Sequence, residues 1–520
     1  MGTTAQKLQA ILDSKADIAA AIQEKGGTVP TKLSGYGDAI RNIPAGTEEL
    51  ADVEFIDYDG SIVETYTFAE ASALSELPTL PSREGFTNQG WNFTAAEVTG
   101  FAASSTKITV GCTYITKDGT TRIHITVPND DPTFHFYCGQ TESSSVILTW
   151  DAANPASTSS YMGSAAPTVR SYTYPSGGDY TITIEPRKAY ATLYFPGNIG
   201  GSGAVKNNQK INDISMGKIV SAGGYLINGC DSISAFSIPD GTTIGNNVVA
   251  ASRSLKAFVF PRSVTTTPSG ACAYCGNLSK VSIPPTTTTF AASGGSEFIG
   301  CGSLTNIRLP SVETVSTSAF DYCGHLKTVD APALTTVKDY GFANCGSLTK
   351  VNTDSITVVT QSGFIGCSSL TSIGTHGLGW LGQSGNNFSA CCNLTEIGPI
   401  SLSLDSKPPQ DASNPTIGTS CFANCKKLTR LVFEPDDDPT QNKPAMIISG
   451  AAFADTNILV FDFRACHQIP TLSNTSAFKG TAAEKKIIVP DSLYTNWIAA
   501  ANWSSTTNGI KNAIVKASEA

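Results

Sequence analysis

The chain has 520 residues, of which only 15% are charged, and its net charge is −9. A surface this poor in cations argues against a nucleic-acid partner, because phosphate binding wants a basic face. No apolar run is long enough for a membrane span, and the length calls for several domains.

Residues 4–25 read as an amphipathic helix. Leu8, Ile11, Leu12, Ile18 and Ile22 form one stripe in heptad spacing, with Lys15 as the one exception, and Gly26-Gly27 stops it. Leu33, Tyr36, Ile40 and Ile43 suggest a second short helix, closed by Pro44. Two such helices have too little core to stand alone. Either they cap the next domain, or they pack on a partner or on copies of themselves, with a homotrimer favoured. Met1 to Lys7 has no apolar stretch, so no secretion leader is expected, and Gln6 breaks the myristoylation pattern. The stretch from Lys7-Leu8-Gln9-Ala10-Ile11-Leu12 through Tyr36-Gly37-Asp38-Ala39-Ile40 resembles the N-terminal segment of tail-associated proteins of phages that infect gut bacteria. That resemblance implies an anchor, residues 1–46, attached to other virion proteins.

Residues 47–104 read as a small β-rich module. Val53 to Ile56 is a strand, Asp57-Tyr58-Asp59-Gly60 a turn, and Ile62 to Phe68 the return strand. Asp57 and Asp59 could suggest calcium, but the rest of an EF-hand loop is missing, and a plain hairpin turn is the simpler reading. Pro81-Ser82-Arg83-Glu84-Gly85-Phe86 with Gly90-Trp91 completes a pattern similar to the Listeria–Bacteroides repeat, which implies a β-grasp-like fold. Residues 105–197 alternate apolar and polar in short runs such as Ile123 to Val127, Val146 to Trp150 and Tyr180 to Ile184, a β-sandwich signature. Trp150-Asp151, Tyr172-Thr173-Tyr174 and Gly178 to Ile182 resemble PKD-like immunoglobulin-fold domains, which implies a spacer.

Residues 198–480 are built on one recurring stretch, Phe-x-x-Cys-x-x-Leu-x-x-Val. It reads Phe320, Cys323, Leu326, Val329, and advances by 22 residues to Cys345 and again to Cys367. The cysteine position can be followed through 230, 252, 275, 301, 323, 345, 367, 391, 425 and 456, with Phe453, Thr456 and Leu459 as the last copy. The late steps widen through insertions at 401–418 and 434–446. A fixed period of this length marks a solenoid, in which each coil buries its apolar side only against its neighbours. Leu-x-x-Val reads as a short strand, and Phe-x-x-Cys as irregular or helical backbone on the other wall. Eight of the 14 cysteines fall at one rung position, which suits small buried thiols; disulfides along the stack are the alternative. The pattern resembles BspA-like leucine-rich repeats of surface and phage proteins. Residues 481–520 read as a helical cap containing Trp497 and Trp503. Val489-Pro490-Asp491, Trp497 and the closing Ile510 to Val515 resemble the tail of phage repeat proteins.

Chemistry is scarce. The five histidines lack partners at ligand spacing, Cys272-x-x-Cys275 falls on rung positions, and no nucleophile elbow or P-loop occurs. Asp436-Asp437-Asp438 reads as a solvated loop or a weak cation site. No enzyme, cofactor or resident metal is expected. The second and fourth residues past each Leu should point out of the concave sheet. They place Lys280, Asn306, Arg308, Asp330, Lys350, Asn352, Glu396 and Arg430 in one polar row, either a merely solvated sheet or a face for a host surface protein or glycan. The whole order reads as attach, space, present. It implies a multi-domain, mainly β virion protein, a tail fibre or receptor-binding protein; the alternative is a bacterial cell-surface adhesin.

Overall fold

The computed structural model describes residues 51–139, 146–161, 168–186, 190–194, 208–291, 293–381, 385–401, 416–434 and 445–520. The N-terminal helices with Leu8, Ile11, Leu12, Ile18 and Ile22, most of both insertions and Asp436–Asp438 lie outside the described residues. The fold is mainly β, with a solenoid of about 11 turns in the C-terminal part.

Strands β1 (Val53–Ile56), β2 (Ile62–Tyr66), β3 (Phe86–Trp91) and β4 (Ile108–Thr116) form one sheet in the order β2-β1-β4-β3. Helices α1 (Phe68–Ser72) and α2 (Ala95–Ala103) accompany it. Each starts on a capping box, Thr67 with Glu70 and Thr94 with Glu97, which satisfies the free N–H groups of the first turn. Val53, Phe55, Trp91, Val98, Val110 and Tyr114 form a separate core. The module therefore runs past residue 104. β4 pairs in parallel with β1 through Val53 and Ile108, and its alternate residues complete this core. Asp57 and Asp59 bond their own turn: Asp59 accepts from the Ser61 N–H at 2.9 Å and Asp57 from the Tyr58 N–H at 2.7 Å.

The next ten strands make a two-sheet sandwich: β5 (Thr121–Val127), β6 (Thr133–Gly139), β7 (Val146–Thr149), β8 (Thr158–Tyr161), β9 (Thr168–Thr173), β10 (Gly178–Pro186), β11 (Tyr190–Tyr194), β12 (Ile211–Ser215), β13 (Ile219–Ala222) and β14 (Thr243–Ile244). Their orders are β12-β5-β10-β7-β8 and β14-β13-β11-β6-β9. The alternating apolar residues face inward, and Tyr172 stacks on Trp150 at 5.4 Å. The second sheet changes character partway. β6 and β11 are antiparallel, whereas β13 and β14 join in parallel, as solenoid coils do. The sandwich thus flows into the first coils, and one apolar core runs from Ile123 to Ile514. It caps the N-terminal end of the solenoid rather than standing off as a spacer, covering apolar surface that an end coil would expose.

The repeat register is observed directly. Asn306, Thr328, Lys350, Ser372 and Glu396 pair in parallel from coil to coil. A second ladder joins Thr314, Thr336 and Val358. Phe298, Phe320, Phe342, Phe364, Phe388 and Phe422 stack at 5.2–5.5 Å, within 16° of parallel. The Phe-x-x-Cys wall is made of tight turns rather than helix. Each coil there holds two residues with positive φ, such as Tyr340 and Asn344, and such residues cannot continue a helix. One register differs from the sequence reading: Ile458, not Leu459, fills the buried rung, and Leu459 is 38% exposed. Lys486–Val489 and Ile514–Lys516 extend the sheet, with the short helices α3 (Tyr494–Ala499) and α4 (Ile510–Ala513) beside them. Trp497 and Trp503 close the core, and the Trp503 indole N–H donates to the Pro470 carbonyl at 2.8 Å.

The rung thiols have a definite task. Cys323, Cys345, Cys367, Cys391 and Cys425 each donate from Sγ to the carbonyl of the preceding coil's Phe, at 3.0–3.2 Å. Ser252 stands at the same position and does the same, donating to the Ile227 carbonyl at 2.5 Å. All fourteen cysteines are free thiols.

Candidate binding faces of the solenoid

The polar row predicted for the concave sheet divides in two. Its N-terminal part does not face solvent. Lys280 donates from Nζ to both Glu54 carboxylate oxygens at 2.9 and 3.0 Å, and Arg308 Nη1 lies 3.6 Å from the same group. Arg308 is 2% exposed and donates to the Ile108 carbonyl at 2.7 Å. The sequence reading of Lys280 and Arg308 as an open face is therefore corrected: the first module lies over these coils. The contact continues through Asn92, whose Nδ2 donates to Ser282 Oγ at 2.9 Å and to the Phe260 carbonyl at 3.0 Å. Arg262 clamps Glu97 with two bonds of 2.7 and 2.9 Å. Burial pushes the Glu97 carboxyl up, but the bonds from Arg262 and Thr94 outweigh it and hold the group below its ordinary value. Backbone and side chain meet closely here, for a Cβ at Gly111 would lie 2.6 Å from Val259 Cγ2. The one signal in the sequence was Glu54, an acidic residue inside the apolar strand Val53–Ile56, whose partner lay more than two hundred residues away.

The C-terminal part of the row is brought together. Lys350, Asn352, Glu396 and Arg430 line one open groove of about 980 Å³, joined by Asp354. Lys350, Asp354 and Glu396 are exposed, and Arg430 is held by Asp462 at 2.6 Å. Asp330 sits at the edge, buried, and accepts a hydrogen bond from Asn352. Asn306 is half-buried and bonds Thr305 Oγ1 at 3.2 Å, away from the groove.

The groove lies where the concave ladder is interrupted. Pairing runs Lys350, Ser372, Glu396, and resumes at Arg430 with Val460. Among the described residues no strand pairing joins Glu396 to Arg430; the two coils meet instead at Ile400 and Phe433. The insertion at 401–418 falls between these coils, so Thr395 to Gly398 and Thr429 to Val432 flank the groove. The two cations and two anions of the groove, Lys350, Arg430, Asp354 and Glu396, can hydrogen-bond and ion-pair with a polar macromolecular surface.

Among the described residues no group of three or more His, Cys, Asp or Glu could hold a metal. Cys272 and Cys275 are fully buried, and burial pushes both thiols up, Cys275 to about 12, away from the thiolate that redox exchange needs. No helix among the described residues is long and apolar enough to cross a membrane.

A family profile described as the BspA type leucine rich repeat region matches in six copies over residues 198–294, 293–406 and 408–495. These spans cover more than half of the chain, and the chain belongs to this repeat family. The profile describes a repeat region and no catalytic domain. No curated protein matches. Among solved structures, a leucine-rich repeat protein from Bacteroides ovatus is 19% identical, with TM-score 0.36, over 54% of this chain and 72% of that one. A leucine rich cell surface protein from Faecalibacterium prausnitzii is 18% identical, with TM-score 0.28, over 55% and 73%. The pneumococcal vaccine antigen PcpA is 13% identical, with TM-score 0.29, over 57% and 77%.

Proposed function

We propose that the chain is a non-catalytic binding protein that presents the groove between Lys350 and Arg430 to a surface protein or glycan of a host cell. The observation that carries this reading is the mixed-charge groove, set on a frame that one continuous core stiffens from Ile123 to Ile514. We place the protein in a phage virion, as a tail or baseplate fibre or receptor-binding protein. Residues 1–46 attach it to other virion proteins and assemble it, as a trimer in the favoured case. The support for the virion is the resemblance of both chain ends to phage tail-associated proteins. The repeat family supports a second reading, a bacterial cell-surface adhesin using the same groove.

Mass spectrometry across a density gradient of the source culture separates the two. Banding with intact particles is expected, and banding with cell envelopes selects the adhesin. Removal of residues 1–46 should abolish particle incorporation. The double variant K350E/R430E should lose cell binding at least tenfold while its melting temperature stays within a few degrees; unchanged binding rejects the groove.

A further inference from the structure

The turn side of the solenoid carries a feature that the groove does not explain. In each coil the residue just before the rung position takes positive φ. Most coils place a small or local-bonding residue there: Gly229, Ala251, Gly300, Asn344, Gly366, Ala390, Asn424 and Asp455. Left-handed backbone favours Gly and Asn, and a bulky ring there is an outlier. Yet Tyr274 (φ +58) and Tyr322 (φ +60) occupy this position. Burial does not compensate for the strain, because the two residues are 58% and 65% exposed. Their hydroxyls have no hydrogen-bond partner among the described residues, whereas Tyr340, also at positive φ, accepts from Gln361 Nε2 at 3.1 Å.

Tyr274 is held in a definite attitude. A Cβ on Gly300, one coil further on, would lie 2.7 Å from its Cδ1 and 3.1 Å from its Cε1. The ring leans on the bare backbone of Gly300 and keeps its other face open. Around it is a depression of about 600 Å³ lined by Ala251, Arg253, Tyr274, Gly276, Asn277 and Gly300. The Arg253 side chain is 75% exposed, and its contact with Asp231 is long, at 4.0 Å. Tyr322 repeats the platform two coils away, at roughly twice the inter-strand spacing of about 4.8 Å.

We propose that this ridge binds a glycan chain running along the solenoid axis, with sugar rings stacked on Tyr274 and Tyr322 and hydroxyls or a carboxylate met by Asn277 and Arg253. A pyranose has an apolar C–H face and a polar edge, which is the complement of an open aromatic face with hydrogen-bonding groups at its rim. Strain held at an exposed position is the mark of a site selected for contact rather than for packing. The ridge is a surface distinct from the concave groove, so it stands or falls separately.

The test passes the full-length chain over immobilised cello-, xylo-, chito- and galacturonate oligosaccharides and host mucin glycans, then measures affinity for those retained. The wild type should bind at least one of them. Tyr274→Ala and Tyr322→Ala should each weaken binding at least tenfold, Tyr274→Phe less than threefold, and Lys511→Glu, exposed at the far end of the chain, not at all. Melting temperature distinguishes site from scaffold: Tyr274→Gly removes the Cβ and with it the left-handed strain, so it should lose binding yet melt no lower than the wild type. The proposal is overturned if no glycan is retained, if only protein ligands are, or if binding survives both alanine variants.

Discussion

The Cys345 thiol donates to the carbonyl of Phe320 in the preceding coil, 3.1 Å away. This bond explains why the rung is cysteine rather than alanine or valine. Each Phe carbonyl accepts the Cys N–H of its own turn, as Phe320 does from Cys323 at 3.0 Å, and the thiol of the next coil adds a second donor to the same oxygen. Cys345→Ala removes that second donor, at a cost of about 0.5–1.5 kcal/mol for the bond, and loses the packing of the sulfur as well. Cys345→Ser keeps a donor, as Ser252 does naturally, and should cost under about 1 kcal/mol. Urea unfolding of both variants checks the order. Equal losses would show that the rung needs volume and not a donor.

The same burial makes the fold sensitive to alkali. Desolvation pushes the Cys323, Cys367 and Cys425 thiols from 9.0 up to about 12, and it raises those of Cys301, Cys345 and Cys391 well above 9.0. The unfolded thiols ionise near 9.0, so above that pH the unfolded chain loses protons that the folded chain keeps. The stabilisation is complete below pH 9 and is lost as pH rises from there toward 12. Each thiol contributes about 1.4 kcal/mol per pH unit within that window. A Cys323→Ser, Cys345→Ser, Cys367→Ser triple variant should therefore show a shallower fall in stability than the wild type between pH 9 and 11. Parallel curves would refute this.

Thiol reactivity follows from exposure. Of the fourteen cysteines, Cys392 alone is half-buried and the others are buried. Native protein titrated with a disulfide reagent at pH 8 should release about one equivalent quickly, and all of them only after unfolding. Cys392→Ser should abolish the fast phase. Rapid labelling of several thiols in the native state would mean that the coils open.

The solenoid was legible in the sequence because each coil is a local unit: spacing alone gives the Phe stack, the thiol rung and the strand register from Ala257 to Glu396. The error at Leu459 arose because a coil can shorten by one residue without changing its composition. The modules were less legible. β4 joins β1 across more than fifty residues, and β13 and β14 turn from sandwich to solenoid with no break in composition. In the candidate row, Lys280 and Arg308 are covered by a module whose docking no periodicity announces. Tyr274 and Tyr322 were visible only as variable letters before a cysteine, and their meaning required the backbone angle.

Glu54 supplies the last prediction. Its carboxylate is 3% exposed and meets Lys280 and the buried Arg308 across the junction between the first module and the solenoid. Removing it leaves cations in a place with little water, so Glu54→Ala should cost about 3–5 kcal/mol. The loss should fall on the junction and not on the coils. Hydrogen exchange is expected to rise in β1, in β4 and around Asn92, while the strands from Asn306 to Glu396 keep their protection. Adding Lys280→Met and Arg308→Met to Glu54→Met replaces all three charges by apolar side chains and should recover most of the loss, because a buried ion cluster and packed apolar side chains are of similar stability. If Glu54→Ala leaves exchange at the junction unchanged, the module is held by Arg262–Glu97 and Asn92 alone, and the Glu54 contacts add nothing.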